Sequence, residues 1–391
     1  MNPAQLKRKF NDHYGREPEQ IIKAPGRVNL IGEHTDYNEG FVLPCAIDYA
    51  TLVAVMKRDD RQIRVLALDW SDETDEFSLD EEISFHPEQM WSNYIRGVVT
   101  ELKLRGYPVQ GCNIAVTGNV PQGAGLSSSA ALEVAAAVAL VAAANGSVTD
   151  TPRGDLQLDR LTIAQIGQAA ENNFVGCACG IMDQLISSRG VDGHAVMIDC
   201  QDHKLTPVVI PQALSVVIVN SNVQRGLVDS EYNQRRAQCE TVARHFDVPS
   251  LRYLDEETLR AGQAGLDSTA LKRAEHVIGE NQRVLSMVNA LKQGDSAEIS
   301  RLMAQSHASM KDLFEITIPA IDQLVGIVAS VVGESGGVRM TGGGFGGCVV
   351  ALVPHDLVSD VTEAVEAQYE QHTGLRATIY PASPSAGVSL I

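Results

Sequence analysis

The stretch Pro121 to Glu133 reads P-Q-G-A-G-L-S-S-S-A-A-L-E, and its residue types suit a phosphate. Gly123 and Gly125 permit a tight turn and a close approach of backbone to a ligand. Ser127, Ser128 and Ser129 then open the most helix-prone run of the chain, Ala130 to Ala144. A helix start leaves backbone N–H groups unpaired with the positive end of the helix dipole behind them, so an anion is favoured there. Serine hydroxyls add donors, and one can turn its oxygen towards magnesium. The same residues also make an ordinary serine N-cap after a glycine turn. Both readings stand at this point.

The kind of phosphate site is narrowed by what is missing. A Walker loop needs a lysine after its glycines, and none follows here. The protein-kinase pair H-R-D and D-F-G is absent. Gly342, Gly344 and Gly347 spell G-x-G-x-x-G, but they precede the β-type run Cys348 to Val353 rather than opening a helix. That context excludes the dinucleotide fingerprint and favours a packed glycine hairpin.

Such a site must be held between larger elements. At 391 residues the chain exceeds one ordinary core, and two domains are expected, 1–205 and 206–391. The net charge of −18 argues against nucleic acid or an anionic membrane as partner. Seven cysteines, of which only Cys177 and Cys179 lie close, read as free thiols in a reducing compartment. The charged N-terminus is no signal peptide, and the longest apolar run, Val134 to Ala144, is about half a membrane span. A cytoplasmic protein is expected.

Along the chain, Leu6, Phe10 and Tyr14 share a helical face. Ile21 to Ala24 reads as a short strand stopped by Pro25-Gly26, followed by a polar loop to Gly40. Strands are expected within 41–55, at 63–68 and at 112–118, with a helix over 91–104 and an acidic hairpin-like stretch at 69–82. Residues 145–159 read as a surface loop, 161–174 as a helix, and 175–183 as a glycine-punctuated turn into a short helix. A strand follows at 194–199, and the domain boundary falls at 201–211. The second half reads as a strand at 215–220, helices over 229–246, 271–292, 296–314 and 319–332, then strand–turn–strand across the glycine run, a helix and a strand. Strands cluster with little strand–helix alternation, which predicts α+β.

Three motifs then fall together. A-P-G-R-V-N-L-I-G-E-H-T-D-Y-N at 24–38, G-A-G-L-S-S-S-A-A at 123–131 and T-G-G-G-F-G-G at 341–347 closely resemble those of the GHMP small-molecule kinases. The first is similar to the galactokinase signature. Supporting stretches are W-S-N-Y-I-R-G-V-V at Trp91, G-I-M-D-Q at Gly180, N-S-N-V at Asn220 and S-E-Y-N-Q-R-R at Ser230. The resemblance implies a two-lobed α+β fold with the site in the cleft. It also implies transfer of the γ-phosphoryl group of Mg-ATP to the C1 hydroxyl of α-D-galactose.

On that resemblance Gly123, Ala124, Gly125, Leu126, Ser127, Ser128 and Ser129 cradle the ATP phosphates, and Ser127 or Ser128 can still cap the helix. Ser129 and Glu171 hold magnesium, a hard cation suited to hydroxyl and carboxylate oxygens. Asp183 is the catalytic base and Arg27 the arginine beside it. Glu33, His34, Thr35, Asp36 and Tyr232 bind the sugar, with backbone near Gly180 and Asp183. Trp91 packs on adenine. Read without the resemblance, Glu171 is a solvated helix residue, Asp183 a helix cap, Arg27 a surface ion pair, E-H-T-D a polar turn and Trp91 a core residue. Two rivals are an N-acetylgalactosamine kinase and a non-catalytic galactose/ATP sensor on the same fold. The intact first motif and serine loop favour the galactose kinase, as a monomer or possible dimer. The tail 382–391 carries no pattern.

Overall fold

In the computed structural model, residues 1–149, 157–223 and 228–391 are described. Strand Pro44–Lys57 lies inside a six-stranded sheet, flanked by the antiparallel strands Gln20–Asn29 and Cys112–Gly118. Alternation along it sets the two faces of the layer. Val53 and Val55 meet the helices Met90–Leu104 and Ser128–Ala143 in one core. Leu52 and Ala54 face Leu6 and Phe10 of the opening helix Pro3–Tyr14. Ile95, Val98, Val99 and Leu102 are buried together on the helix Met90–Leu104, as their spacing predicts. The Ser128–Ala143 helix is apolar nearly all round and buried nearly all round, because small alanines let neighbouring elements close on it.

The second layered unit is a four-stranded antiparallel sheet in the order Gly337–Thr341, Cys348–Pro354, Leu214–Asn220, Thr378–Ala382. Val217 and Val219 pack towards its helices, while Val216 and Ile218 point the other way. The latter pair joins Leu30, Ile31 and Leu43 in a core shared by both halves of the chain. The fold is α+β, as expected.

Several local expectations change. The first strand does not stop at Pro25-Gly26 but runs from Gln20 to Asn29, with a bulge between Pro25 and Arg27 that absorbs the proline. Lys204–Val209, expected to lie in a linker, is a strand paired with His194–Asp199, so residue 205 falls inside a hairpin. Two expected helices end in a wide turn: Arg160–Ala169 passes into Ala170–Val175, and Ser296–Ser309 into Met310–Phe314. Of the loop expected at 145–159, Ser147–Thr149 and Gln157–Asp159 pair as parallel strands, and 150–156 lie outside the described residues. The patternless tail returns to the first sheet, where Ser389–Leu390 pairs with Ile22 and Lys23.

Candidate active site

The bulged strand brings Arg27 against the serine loop. Gly26 has no side chain, so its backbone can lie on Leu126, where a Cβ would meet the carbonyl at 2.6 Å. The N–H of Arg27 donates to that carbonyl at 3.1 Å. The buried guanidinium then grips Asp183 with two bonds, Nε to Oδ1 at 2.7 Å and Nη2 to Oδ2 at 2.6 Å, and donates to Gly125 O at 2.6 Å. This fork fixes the carboxylate plane. Burial pulls the Arg27 pKa down, but the Asp183 charge and hydrogen bond, with the Glu33 and Asp36 charges, together more than offset it and leave the group above its ordinary value. Asp183 stands in the first turn of Met182–Arg189, as the sequence suggests.

Ser127 is left-handed (φ 61°) at the position preceding Ser128–Ala143, and its hydroxyl makes no capping bond. It donates to Asp183 Oδ2 at 2.5 Å instead. The capping expectation therefore fails for Ser127. The first-turn amides keep no serine partner from that residue, the condition an anion site needs.

Behind the loop lies an excess of carboxylates. Glu171, buried in the wide turn Ala170–Val175, accepts on Oε2 from Gln184 Nε2 at 2.7 Å and from the Cys179 thiol at 3.3 Å. The Ser129 hydroxyl beside this carboxylate favours its ionised form. Burial, then the Asp183 charge, raises the Glu171 pKa. Fully buried Glu133 shares the Gln184 amide at 2.9 Å and is pushed up by burial and by Glu171. Among the described residues no three His, Cys, Asp or Glu side chains gather as a metal nest. The Ser129 hydroxyl and the Glu171 carboxylate offer two oxygens of the kind a hard cation takes, with room for other oxygens to complete its shell.

The sugar motif closes the other end. His34, in a left-handed conformation, pairs with the Tyr37 hydroxyl at 2.8 Å and packs on Tyr232 and Phe314. Burial first, then nearby cations, lowers its pKa to about 3, so the ring is neutral. Asp36 is pushed up to about 7 by burial and by Asp183. Gly180 lies so close to it that a Cβ would collide with the carboxylate. Glu33 faces the same cavity while its Oε1 accepts from Gly342 N at 2.9 Å, Thr341 Oγ1 at 3.1 Å and Arg339 at 3.0 Å. Thr35 is fully buried and donates to Gly32 and Phe41 carbonyls, so its side chain braces the loop rather than facing the cavity.

These groups line one cavity of about 340 Å³, containing Arg27, Glu33, His34, Asp36, Gly123, Gly125 to Ser129, Glu171, Gly180, Asp183 and Tyr232. Ala124 is buried behind it. A second cavity of about 250 Å³ shares Tyr94, Ser128 and Ser129 with the first and is walled by Trp70 and Trp91. Trp91 donates Nε1 to Glu73 at 2.8 Å, which orients its ring. Tyr94, Glu133, Gln184, Cys177 and Arg339 are given no role at the site by the sequence reading. The glutamine lies one residue beyond Asp183, but only three-dimensional contact reveals its two carboxylate partners.

A glycine–serine helix start facing a carboxylate–arginine pair, in the cleft of this two-layer α+β fold, defines a small-molecule kinase of the GHMP class. Family models agree: GHMP kinases N terminal domain over residues 93–191 and GHMP kinases C terminal over 287–371. The galactokinase galactose-binding signature matches residues 8–57. The chain belongs to the galactokinase family. It is 34% identical to Lactococcus lactis galactokinase, solved with galactose, over 99% of each chain with a TM-score of 0.91. More distant likenesses concern the fold alone. Methanococcus jannaschii mevalonate kinase is 18% identical over 93% of this chain and 98% of its own, with a TM-score of 0.63. Streptococcus pneumoniae phosphomevalonate kinase is 15% identical over 92% and 99%, also at 0.63.

Proposed function

We propose that this protein transfers the γ-phosphoryl group of ATP to the C1 hydroxyl of α-D-galactose, giving galactose 1-phosphate and ADP. The observation that carries the site assignment is the Arg27–Asp183 fork, set between the serine loop and the Glu33–Asp36 pocket. Asp183 accepts the hydroxyl proton as transfer advances, and Arg27 holds that carboxylate while offsetting charge on the moving group. The amides of 123–129 hold the phosphates. The walls at Trp70 and Trp91 suit adenine. Ser129 and Glu171 would hold Mg²⁺, which supplies charge neutralisation at the β- and γ-phosphates. Neutral His34, Asp36, Glu33 and Tyr232 present acceptors and donors to the sugar hydroxyls, so a wrong epimer leaves buried groups unpaired at roughly 1–3 kcal/mol each.

The first lobe keeps the hairpin of His194–Asp199 and Lys204–Val209 whole, so the lobes divide just beyond it, and the protein works in the cytoplasm without nucleic acid or membrane. No helix among the described residues is long and apolar enough to cross a membrane. An N-acetylgalactosamine kinase would need added room beside C2, and a sensor would tolerate damage to the serine loop, which is intact.

The test is ADP release with galactose, glucose, talose and N-acetylgalactosamine. Galactose is expected to be preferred, and equal turnover with glucose overturns the substrate. Asp183→Asn is expected to lose about 10²–10⁴-fold in kcat while still binding galactose. Full activity in that variant removes Asp183 from the role of base.

A further inference from the structure

The turn between the wide turn Ala170–Val175 and the Asp183 helix carries two thiols, Cys177 and Cys179, and both line the cavity of Glu171 and Asp183. Both are free and partly exposed, whereas the other five cysteines are buried. The N–H of Cys179 donates to the carbonyl of Cys177 at 2.8 Å. That bond spans i to i+2 and makes a γ-turn about Ala178. The turn draws the two Cα atoms towards the roughly 4.4–6.8 Å window that a disulfide bridges.

We propose that Cys177 and Cys179 are an oxidative modification site: a small disulfide of the glutathione type converts the pair to a disulfide within the turn and switches the kinase off. The inference rests on the catalytic reading of this cavity. The Cys177 sulfur, giving up its proton, attacks one sulfur of the small disulfide; that S–S bond breaks and one small thiol leaves. The Cys179 sulfur then displaces the second small thiol from Cys177, closing the protein S–S bond. Two electrons pass from the protein to the small disulfide, and the two protons lost by the cysteines end on the two released thiols. Cys177 attacks first because the Cys179 thiol is engaged, by Glu171 Oε2 at 3.3 Å and Asn172 Oδ1 at 3.2 Å.

The consequence follows from what the bridge removes. A disulfide has no S–H to donate, so Glu171 loses one of its two named Oε2 partners. Its twisted geometry, with a dihedral of about 90°, also pulls on the next residue, Gly180, which packs directly on Asp36. Both the metal-facing carboxylate and the sugar pocket are disturbed by one bond. A bridge across so short a turn is strained and hence easily reduced again, the property of a regulatory disulfide rather than a structural one.

The experiment treats the full chain with oxidised glutathione, then reads ADP release and the mass of the tryptic peptide 161–189. Wild type is expected to lose at least about tenfold in activity, with that peptide lighter by two hydrogen atoms and activity restored by dithiothreitol. Cys177→Ala and Cys177→Ser, each compared with its own reduced activity, are expected to keep it. A glutathione adduct as the only product, a bridge without loss of activity, or equal loss in the Cys177 variants overturns the proposal. A reduced wild type that makes no ADP from galactose and ATP overturns the catalytic reading instead, and the peptide mass still reports the bridge independently.

Discussion

Asp36 shows how one side chain can record its surroundings in a measurable pH dependence. Its folded pKa of about 7 lies above the ordinary value of 3.8 because of burial and the Asp183 charge. Between those values the folded protein holds a proton that the unfolded chain releases, so this carboxyl's contribution to stability falls as pH rises and levels off above about 7. Asp36→Asn cannot ionise. Without sugar, the variant is expected to gain stability relative to wild type as pH rises from about 4 to 7, by roughly 1.4 kcal/mol per pH unit. Urea unfolding at pH 4.5, 6 and 7.5 measures this, and a pH-independent difference contradicts the assignment. Gln184 makes a second case. Its amide donates to Glu133 and Glu171 together. Gln184→Ala is expected to weaken Mn²⁺ binding in the presence of ADP about 10–100-fold, read by titration, with galactose binding intact. At this scale the sequence was generous. Arg27, Glu33, His34, Asp36 and Asp183 stood in recognisable motifs with a role attached, while Glu133 and Gln184 stood in quoted stretches with none, because burial and carboxylate pairing leave no local signature.

The elements carrying these residues were readable where periodicity rules and obscure where tertiary contact overrides local preference. The helix over Met90–Leu104 followed from spacing alone. The first strand did not, since Pro25-Gly26 is locally a breaker, yet pairing with Pro44–Lys57 on both sides of the bulge carries the strand through it. That override sets the place of Arg27, which lies just beyond the bulge. The wide turns ending the helices at 170–175 and 310–314 were equally hidden; the first is the one that holds Glu171. The turn around Gly180 gives the sharpest prediction here. Gly180→Ala puts a methyl where the Asp36 carboxylate lies, with the Asp183 helix untouched. The carboxylate must move, and loss of one well-placed acceptor is worth about 1–3 kcal/mol, or roughly 5–150-fold. The KM for galactose is expected to rise by that factor with kcat for bound sugar much less affected. An unchanged KM places Asp36 outside the sugar pocket.

For the whole molecule, what the sequence concealed most was that the chain does not divide cleanly at its middle. The last residues leave the second sheet and return to the first. Ser385 donates its N–H to Ala46 O, Gly387 to Gly190 O, Val388 to Ser187 O and Ile391 to Ile21 O. Arg160 clasps the carbonyls of Ser188 and Val388 at once. The tail therefore ties the far end of the Met182–Arg189 helix, which bears Asp183 at its start, to the sheet edge that bears Arg27. Two residues paired within 3 Å of each other are thus braced by a segment far from both in sequence and poor in pattern. Removing residues 386–391 strips the bonds made by Gly387, Val388 and Ile391, the Arg160 bond to Val388 O and the buried Val388 side chain. Once the ordering entropy of the tail is subtracted, the net loss is on the order of 2 kcal/mol. The truncated chain is expected to melt several degrees lower. Its kcat should fall while the KM for ATP stays nearly constant, because the serine loop keeps its own supports but the Arg27–Asp183 geometry loosens. A truncation that lowers the melting temperature and leaves kcat intact would mean that the tail stabilises the sheet edge alone. Equal loss of kcat and ATP affinity would point to a general loosening of the fold.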